Sequence, residues 1–528
     1  MQLTQLPTGV MVRYFPSLLS GLLLTLSFPD TGAHALVWVA LVPLLVSLPP
    51  KGWTQAFKAG VAAGLFHYLT LIYWLVGTLE TYGGLAWPLA WACLVLLSLY
   101  LALYPALFCV LVQQVRIFPP LGPLMGAALW VGLEYARTYL LTGFPWGLLG
   151  YSQFPNIPLI QMADITGVYG ISFLIVLVNM TLAMIFRQIR NRENILKRRS
   201  WLVPAGMSFL MLTGTVLYGM ARIGQVDRLM VNSEQSSIGV IQGNIRQDLK
   251  WTQSFRQETI DKYLKLSKDL MPKKPDLVVW PETAMPFYYN FDNDPSNRVD
   301  AGIRELGTHF LIGSPAVTVV NDQVRIYNRA FMLDRFSIIQ GMYDKIHLVP
   351  FGEYVPFEKY LTFIDKITEE AGNFSSGRKS YQPLAFGAYE TGVLICFEIL
   401  FPRIAAGFAH NGAHMLTTMT NDAWFGYSSA TRQHFSIAVF RAVETRRCVT
   451  RAANTGISGY IDPVGRILEA TELFKDKGLV RSLPMMTHQS LYTRCGDLFA
   501  WLCSLVSLAI CLGIMVNKGI KKAGEKRK

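Results

Sequence analysis

Seven apolar stretches follow one another within the first 220 residues, at about 12–29, 33–48, 54–78, 85–115, 120–141, 164–186 and 201–220, and an eighth runs from about 497 to 516. A helix crosses the core of a bilayer with about 20 apolar residues. No water is available there, so every backbone N–H and C=O must pair within the segment. The chain is therefore predicted to build a polytopic α-helical membrane bundle of about eight spans. Pro43 interrupts the second run, which reads as tilted, broken or re-entrant. The first run has no small-residue cleavage site and is followed at once by another apolar run, so it reads as a retained helix rather than a signal peptide.

Charge placement argues the same way. Only 16% of the residues are charged, where soluble domains carry about 25%. The net charge of +13 invites a nucleic-acid partner, but two short tracts supply most of it. Arg187–Arg199 and Asn517–Lys528 each hold six basic residues and one acidic residue. Both abut apolar runs, where basic residues set membrane orientation. Eight spans would put both termini and the Arg187–Arg199 loop on the inner side, together with Lys51, Lys58 and Arg116. The outer loops near Asp30, near Glu80 and from Thr142 to Asp164 carry no Lys or Arg. The long polar segment between the seventh and eighth spans must then face outward. This is a topological signal, and no nucleic-acid partner is expected.

From about Ala221 to Arg494 the texture changes. Short β-rich runs such as SSIGVIQ, DLVVWPE, HFLIGSP, TGVLICFE and HMLTTMT alternate with helical patterns, as in an α/β or layered α+β domain. The expected division is a membrane part at 1–220 with seven spans, an outer domain at 221–495, and a final span with a basic tail at 496–528. The seven cysteines include no CxxC pair, and four of them lie in apolar runs, so neither a disulfide framework nor a zinc site is expected. His410 and His414 are separated by Asn411 and Gly412, which disfavours one helical face. No GxSxG elbow, P-loop or GxGxxG loop is present. No metal and no cofactor are expected.

Three strings in the outer domain each put a reactive side chain just after an apolar strand. They are DLVVWPET with Glu282, YDKIHLVPFGEYVP with Lys345 and Glu353, and GVLICFEI with Cys396 and Glu398. Strand ends converge on one edge of a layered α/β sheet, where sites form. A thiol that loses its proton attacks a carbonyl, a carboxylate can take and return that proton, and an ammonium can stabilise the oxyanion. Each residue alone also reads blandly: Cys396 as a core thiol, Glu282 as a turn residue and Lys345 as a surface charge. The joint order Glu, Lys, Cys is what carries weight.

That order resembles the Glu-Lys-Cys triad of the nitrilase (carbon–nitrogen hydrolase) superfamily, and within it the membrane-embedded apolipoprotein N-acyltransferase family. The resemblance runs through TGFPWGLLGYSQ (Thr142–Gln153), IQGNI (Ile241–Ile245), WPET, YDKIHLVPFGEYVP, LICFEI, NDAWFG (Asn421–Gly426) and RAANTGISG (Arg451–Gly459). Phe397 stands where many members carry Tyr, and FPD (Phe28–Asp30) where they read FPP. The resemblance implies an αββα sandwich beside the membrane bundle. It implies Glu282 as general base, Lys345 as oxyanion stabiliser, Cys396 as acyl-accepting nucleophile, and Glu353 and Glu398 as supporting carboxylates. Trp424 and Phe425 match positions at the acyl-chain entrance. Trp146, Arg137 and Glu134 match positions in the membrane half near the cleft. The implied reaction moves an acyl chain from a phospholipid, phosphatidylethanolamine by expectation, to the α-amine of an S-diacylglyceryl-cysteine on an apolipoprotein. The implied setting is a monomer in a bacterial inner membrane with its catalytic domain in the periplasm. The rival readings are a membrane-tethered amidase or nitrilase using the same triad, and a transporter or receptor whose outer domain only binds ligand.

Overall fold

The computed structural model describes residues 8–115, 120–190, 199–320, 322–354 and 374–525. Outside the described residues lie 191–198 of the first basic tract, 526–528 of the second, and Val355 and Pro356 of the lysine-bearing string. The chain divides into two compact units, one of Met1–Tyr73, Trp91–Met220 and Asp497–Lys528, the other of Trp74–Ala90 and Ala221–Gly496.

In the first unit helices dominate because the apolar runs leave the backbone no partner but itself. Among the described residues, four helices are long and apolar enough to cross a bilayer: Trp87–Val115, Val168–Arg190, Leu202–Val231 and Leu498–Val516. A fifth span results if Trp53–Leu71 and Leu75–Thr81 are taken as one broken span. This is fewer than the eight that the apolar runs predict; the run at 12–29 still forms the helix Thr8–Leu26, and two other runs fall short for physical causes. The run at 33–48 breaks into the short pieces His34–Leu36, Val37–Ala40 and Val42–Ser47. Asn179 serves the backbone groups opened by that break, donating to Val37 O at 2.9 Å and accepting from Leu41 N at 2.9 Å. The run at 120–141 yields the helix Gly122–Tyr139, whose apolar content is diluted by Glu134 and Arg137. Elsewhere small residues let helices approach closely: a Cβ on Gly60 would meet Ala106 Cα at 2.5 Å. The last span leaves Leu498, Trp501, Leu502 and Leu505 exposed, a face suited to lipid rather than water.

The second unit holds twelve described strands in two six-stranded sheets. The first sheet uses β1 (Gln235–Gln242), β2 (Leu277–Val279), β3 (His309–Val320), β4 (Gln323–Leu333) and β5 (Ile339–Asp344). The second uses β6 (Leu384–Phe386), β7 (Tyr389–Ile395), β8 (Met415–Thr420), β9 (Cys448–Ala453), β10 (Gly459–Ile461) and β11 (Ile467–Ala470), while β12 (Lys477–Pro484) returns to the first. Their orders are β12-β1-β2-β3-β4-β5 and β11-β10-β9-β8-β7-β6. β1, β2 and β3 are parallel, as are β7, β8 and β9; the outer strands run antiparallel. Near-continuous apolar runs such as LVV and GVLI suit parallel strands buried on both faces.

Helices Gln253–Lys268 and Asn293–Leu306 cover the first sheet, with Ile260, Tyr263, Val299 and Ile303 packed onto Val278, Trp280 and Phe310. Helices Pro402–His410 and Ser429–Thr445 pack against the second sheet. The sheets meet through polar pairs as well as apolar ones. Tyr460 Oη donates to Ile238 O at 2.7 Å, and Ser458 Oγ donates to Gln242 Oε1 at 2.8 Å. The result is an αββα sandwich in which β2, β5, β7 and β8 all end at one edge, delivering Glu282, Lys345, Cys396 and Asn421 to the same place.

Candidate active site

Lys345 follows β5 directly and is fully buried. Its backbone N donates to Asn328 O of β4 at 2.9 Å, which anchors the turn. Its Nζ lies 2.9 Å from Glu353 Oε1 and 3.3 Å from Glu282 Oε1. Burial alone would lower this amine, but the Glu353 and Glu282 carboxylates together raise it well above its ordinary range, so it stays an ammonium. An ammonium has three donors. Two face carboxylates and one remains for a third oxygen.

Glu282 reaches the site because the chain turns sharply after β2. Gly313 on neighbouring β3 makes room, since a Cβ there would lie 2.6 Å from Pro281 O and 3.0 Å from Glu282 Cα. Both carboxylate oxygens of Glu282 are engaged. Oε1 accepts from Lys345 and from Asn328 Nδ2 at 2.8 Å, and Oε2 accepts from Asn421 N at 2.9 Å. Glu353 is held in the same manner, with Oε1 accepting from Asn328 Nδ2 at 3.0 Å and Oε2 from Val349 N at 2.8 Å. One amide, Asn328 Nδ2, therefore ties the two carboxylates together beneath the ammonium.

Cys396 caps the end of β7 at φ +51°, a left-handed backbone that costs a residue with a Cβ about 1–2 kcal/mol. Such strain persists where the surroundings impose it. Glu398 is one of the restraints: Oε2 accepts from Ile395 N at 2.7 Å, while Oε1 accepts from Tyr343 Oη, Ile346 N and His347 N at 2.8, 2.7 and 3.1 Å. It thus links the nucleophile turn to the lysine turn. Burial pushes Glu398 up to about 7 against the pull of those donors and of Lys345. Burial and the nearby Glu282 charge also push the Cys396 thiol up, while Lys345 pulls it down. The resting site is a thiol beside a carboxylate.

Asn421 and Asp422 follow β8. Asn421 Nδ2 donates to Gln247 Oε1 at 2.7 Å, and Asn454 Nδ2 donates to Asn421 Oδ1 at 3.0 Å and to Ile245 O at 2.8 Å. These bonds explain why three separate asparagine-containing strings belong to one site. Asp422 is buried and accepts from Arg451 Nη2 at 2.7 Å and Thr420 Oγ1 at 2.8 Å. Burial works against its charge, but Arg451 and neighbouring donors, the Thr420 hydroxyl among them, outweigh it and hold the carboxyl well below its usual range.

Trp424 and Phe425 are half-buried on the turn that follows. They pack against the end of the apolar run at 54–78 and the loop that follows it. Trp74 meets Phe425 edge-on at 4.9 Å, and Tyr82 meets Trp424 at 5.0 Å. Thr78 Oγ1 donates to Trp424 O at 2.8 Å and Tyr82 Oη to Ala423 O at 3.0 Å. Arg137 and Trp146 belong to the first unit and are buried there. Arg137 Nη1 donates to Tyr68 Oη at 2.6 Å and to Trp146 O at 3.0 Å, and Glu134 Oε1 accepts from Leu149 N at 2.8 Å. Both side chains bond the backbone of the loop that contains Trp146.

Glu282, Lys345 and Glu353 thus share direct bonds, and the charges of the first two act on Cys396. Sequence reasoning misses Asn328, His434 and the Trp74–Tyr82 segment. Asn328 leaves only a faint signal, one amide in a β-rich string, and a lone His inside a helix leaves none.

Residues 20–181 match the family described as Apolipoprotein N-acyltransferase N-terminal domain, and residues 237–490 match Carbon-nitrogen hydrolase. The apolipoprotein N-acyltransferase of Geobacter metallireducens is 42% identical over 93% of this chain and 93% of its own length. That of Rhodopseudomonas palustris is 31% identical over 97% and 98%. That of Gloeobacter violaceus is 32% identical over 94% and 92%.

Proposed function

The chain belongs to the apolipoprotein N-acyltransferase family, and from that premise we propose how its own residues move an acyl chain from a phospholipid to the amino terminus of a lipoprotein. The observation that carries the proposal is the Lys345 ammonium held between Glu282 and Glu353, with the Cys396 thiol under the influence of Lys345 and Glu282.

In the first half-reaction Cys396 Sγ attacks the sn-1 ester carbonyl of the phospholipid. Because the resting sulfur is a thiol, its proton must leave as the bond forms, and Glu282 accepts it. The third hydrogen of Lys345 Nζ meets the developing oxyanion. Losing one such donor costs about 3–4 kcal/mol of barrier. Glu282 returns its proton to the departing lysophospholipid oxygen, leaving a thioester on Cys396. In the second half-reaction the α-amine of the S-diacylglyceryl-cysteine gives a proton to Glu282 and attacks the thioester. Collapse of the tetrahedral intermediate forms the amide and releases the Cys396 thiolate, which takes the proton back.

Glu353 keeps Lys345 charged and aimed, and Glu398 fixes the backbone that bears Cys396. Trp424 and Phe425 form the apolar wall for the acyl chain, and Arg137 and Trp146 shape a lipid-binding loop of the membrane unit. Moving an acyl chain into water costs about 0.8 kcal/mol per methylene, so a membrane half is a physical requirement of both substrates. An amide hydrolase would use the same triad, but the matching membrane domain at 20–181 favours transfer. We assign phosphatidylethanolamine as donor, a monomer as the working form, and the bacterial inner membrane as location, with the sandwich facing the periplasm.

The test is N-acylation of a synthetic diacylated lipopeptide by purified enzyme and its Cys396→Ser variant. The variant should melt as the parent does and give no triacylated product. Product formation at the parental rate would reject Cys396 as nucleophile.

A further inference from the structure

A restraint on the nucleophile comes from a residue outside the triad. His434 lies in the middle of the helix Ser429–Thr445 and is buried. Its Nε2 is 3.3 Å from the carbonyl oxygen of Cys396. Its Nδ1 is 3.0 Å from Arg451 Nη2 and 3.2 Å from Asp422 Oδ1. We propose that His434 is a positioning residue for the acyl transfer, holding the left-handed Cys396 backbone by donating its Nε2–H to the Cys396 carbonyl.

The proton inventory supports this tautomer. Arg451 Nη2 carries two hydrogens. One goes to Asp422 Oδ2 at 2.7 Å, and the other points to His434 Nδ1. Nδ1 faces two groups, the Arg451 donor at 3.0 Å and the Asp422 Oδ1 acceptor at 3.2 Å. Asp422 Oδ1 already accepts from Thr420 Oγ1, and taking the shorter Arg451 bond at Nδ1 leaves the ring's single proton on Nε2, where it faces a carbonyl. Burial and the Arg451 cation both hold His434 below its ordinary pKa, so the ring stays neutral. Asp422 and Arg451 thereby select the tautomer without touching the nucleophile's backbone.

The arrangement restrains Cys396 from both sides. Glu398 Oε2 fixes the amide before it, Ile395 N, and His434 fixes the carbonyl after its Cα. The same ring meets Phe425 edge-on at 6.0 Å, and Phe425 meets Trp74. A single side chain therefore touches both the strained turn and the aromatic wall.

The inference rests on Cys396 being the acyl acceptor, and its test separates the two ideas. Single-turnover acyl-enzyme formation with phospholipid is measured in parent, H434L, H434Q and C396S, all in detergent, with melting curves and iodoacetamide alkylation of Cys396 alongside. Glutamine puts an amide N–H near the Nε2 position; leucine puts no donor there. Loss of one hydrogen bond of ordinary strength should slow acyl-enzyme formation and alkylation in H434L by about ten-fold. KM should be unchanged, and H434Q should recover most of the rate. H434L acylating and alkylating at the parental rate overturns the inference. So does equal slowing of H434L and H434Q in proportion to lost melting temperature, which marks a merely structural residue. An active C396S would instead overturn the nucleophile assignment itself.

Discussion

Replacing Glu353 by glutamine removes one charge and keeps the shape, yet the site cannot absorb the change. Both carboxylate oxygens of Glu353 are acceptors: Oε1 takes Lys345 Nζ and Asn328 Nδ2, and Oε2 takes Val349 N. Glutamine offers one acceptor oxygen and one donor NH2. With its oxygen toward Lys345, its NH2 faces the Val349 N–H, donor against donor. An orphaned donor of this kind costs about 1–3 kcal/mol. With the amide flipped, the NH2 faces an ammonium, which is worse. At the 2.9 Å separation and an effective dielectric near 20, the lost attraction to Lys345 is about 6 kcal/mol gross. Desolvation offsets most of that, so the net effect is far smaller. What does not cancel is redistribution. Lys345 would lean wholly on Glu282, weakening Glu282 as a base and turning the third ammonium hydrogen away from the oxyanion. Acyl-enzyme formation in E353Q should therefore fall by about 10- to 100-fold, or 1.4–3 kcal/mol of barrier, with a loss of about 1–3 kcal/mol in stability. Single-turnover quench of a labelled phospholipid, with thermal melting in detergent, reads both. Parental rate and parental melting together would refute the idea that Glu353 positions Lys345.

The buried pair of Asp422 and Arg451, both fully inaccessible, gives a second expectation. Arg451→Met alone should destabilise by about 3–5 kcal/mol because it strands a buried carboxylate, and the double variant with Asp422→Asn should lose less than the sum of the two single losses, read from denaturation midpoints. Glu398 gives a pH signature: it binds its proton more tightly in the folded chain, at about 7, than at its ordinary 4.5. Its contribution therefore favours the native state at low pH and is lost as pH rises from about 4.5 through 7. Parent melting temperatures should decline across that window, and the decline should be absent in Glu398→Gln; identical slopes would contradict the assignment.

Much of this protein is legible in its sequence, for reasons that differ by level. Strands β1, β2, β3, β7 and β8 fall on the apolar strings SSIGVIQ, DLVVWPE, HFLIGSP, TGVLICFE and HMLTTMT, because parallel strands buried on both faces need near-continuous apolar runs. Glu282, Lys345 and Cys396 are visible because each follows a strand or a strand-like run. Hydropathy misjudges the membrane half where local chemistry overrides it. Pro43 splits one run, Glu134 and Arg137 dilute another, and the stretch at 54–78 breaks so that Trp74 onward joins the sandwich unit. Thr78 ends that apolar run and Tyr82 lies in the loop just past it, and both bond the turn that carries Trp424. Asn328 and His434 stay hidden because a single polar side chain in a strand or a helix has no periodicity. Their roles depend on partners far away in the chain.

The central claim is a covalent one, and the mass of Cys396 tests it directly. Purified enzyme incubated with phospholipid and no lipopeptide should gain one fatty acyl group on the peptide that contains Cys396. Hydroxylamine should remove that group, and a diacylated lipopeptide should discharge it as triacylated product. Lysophospholipid release with the acyl group on another residue, or product formed with Cys396 never acylated, would contradict the account.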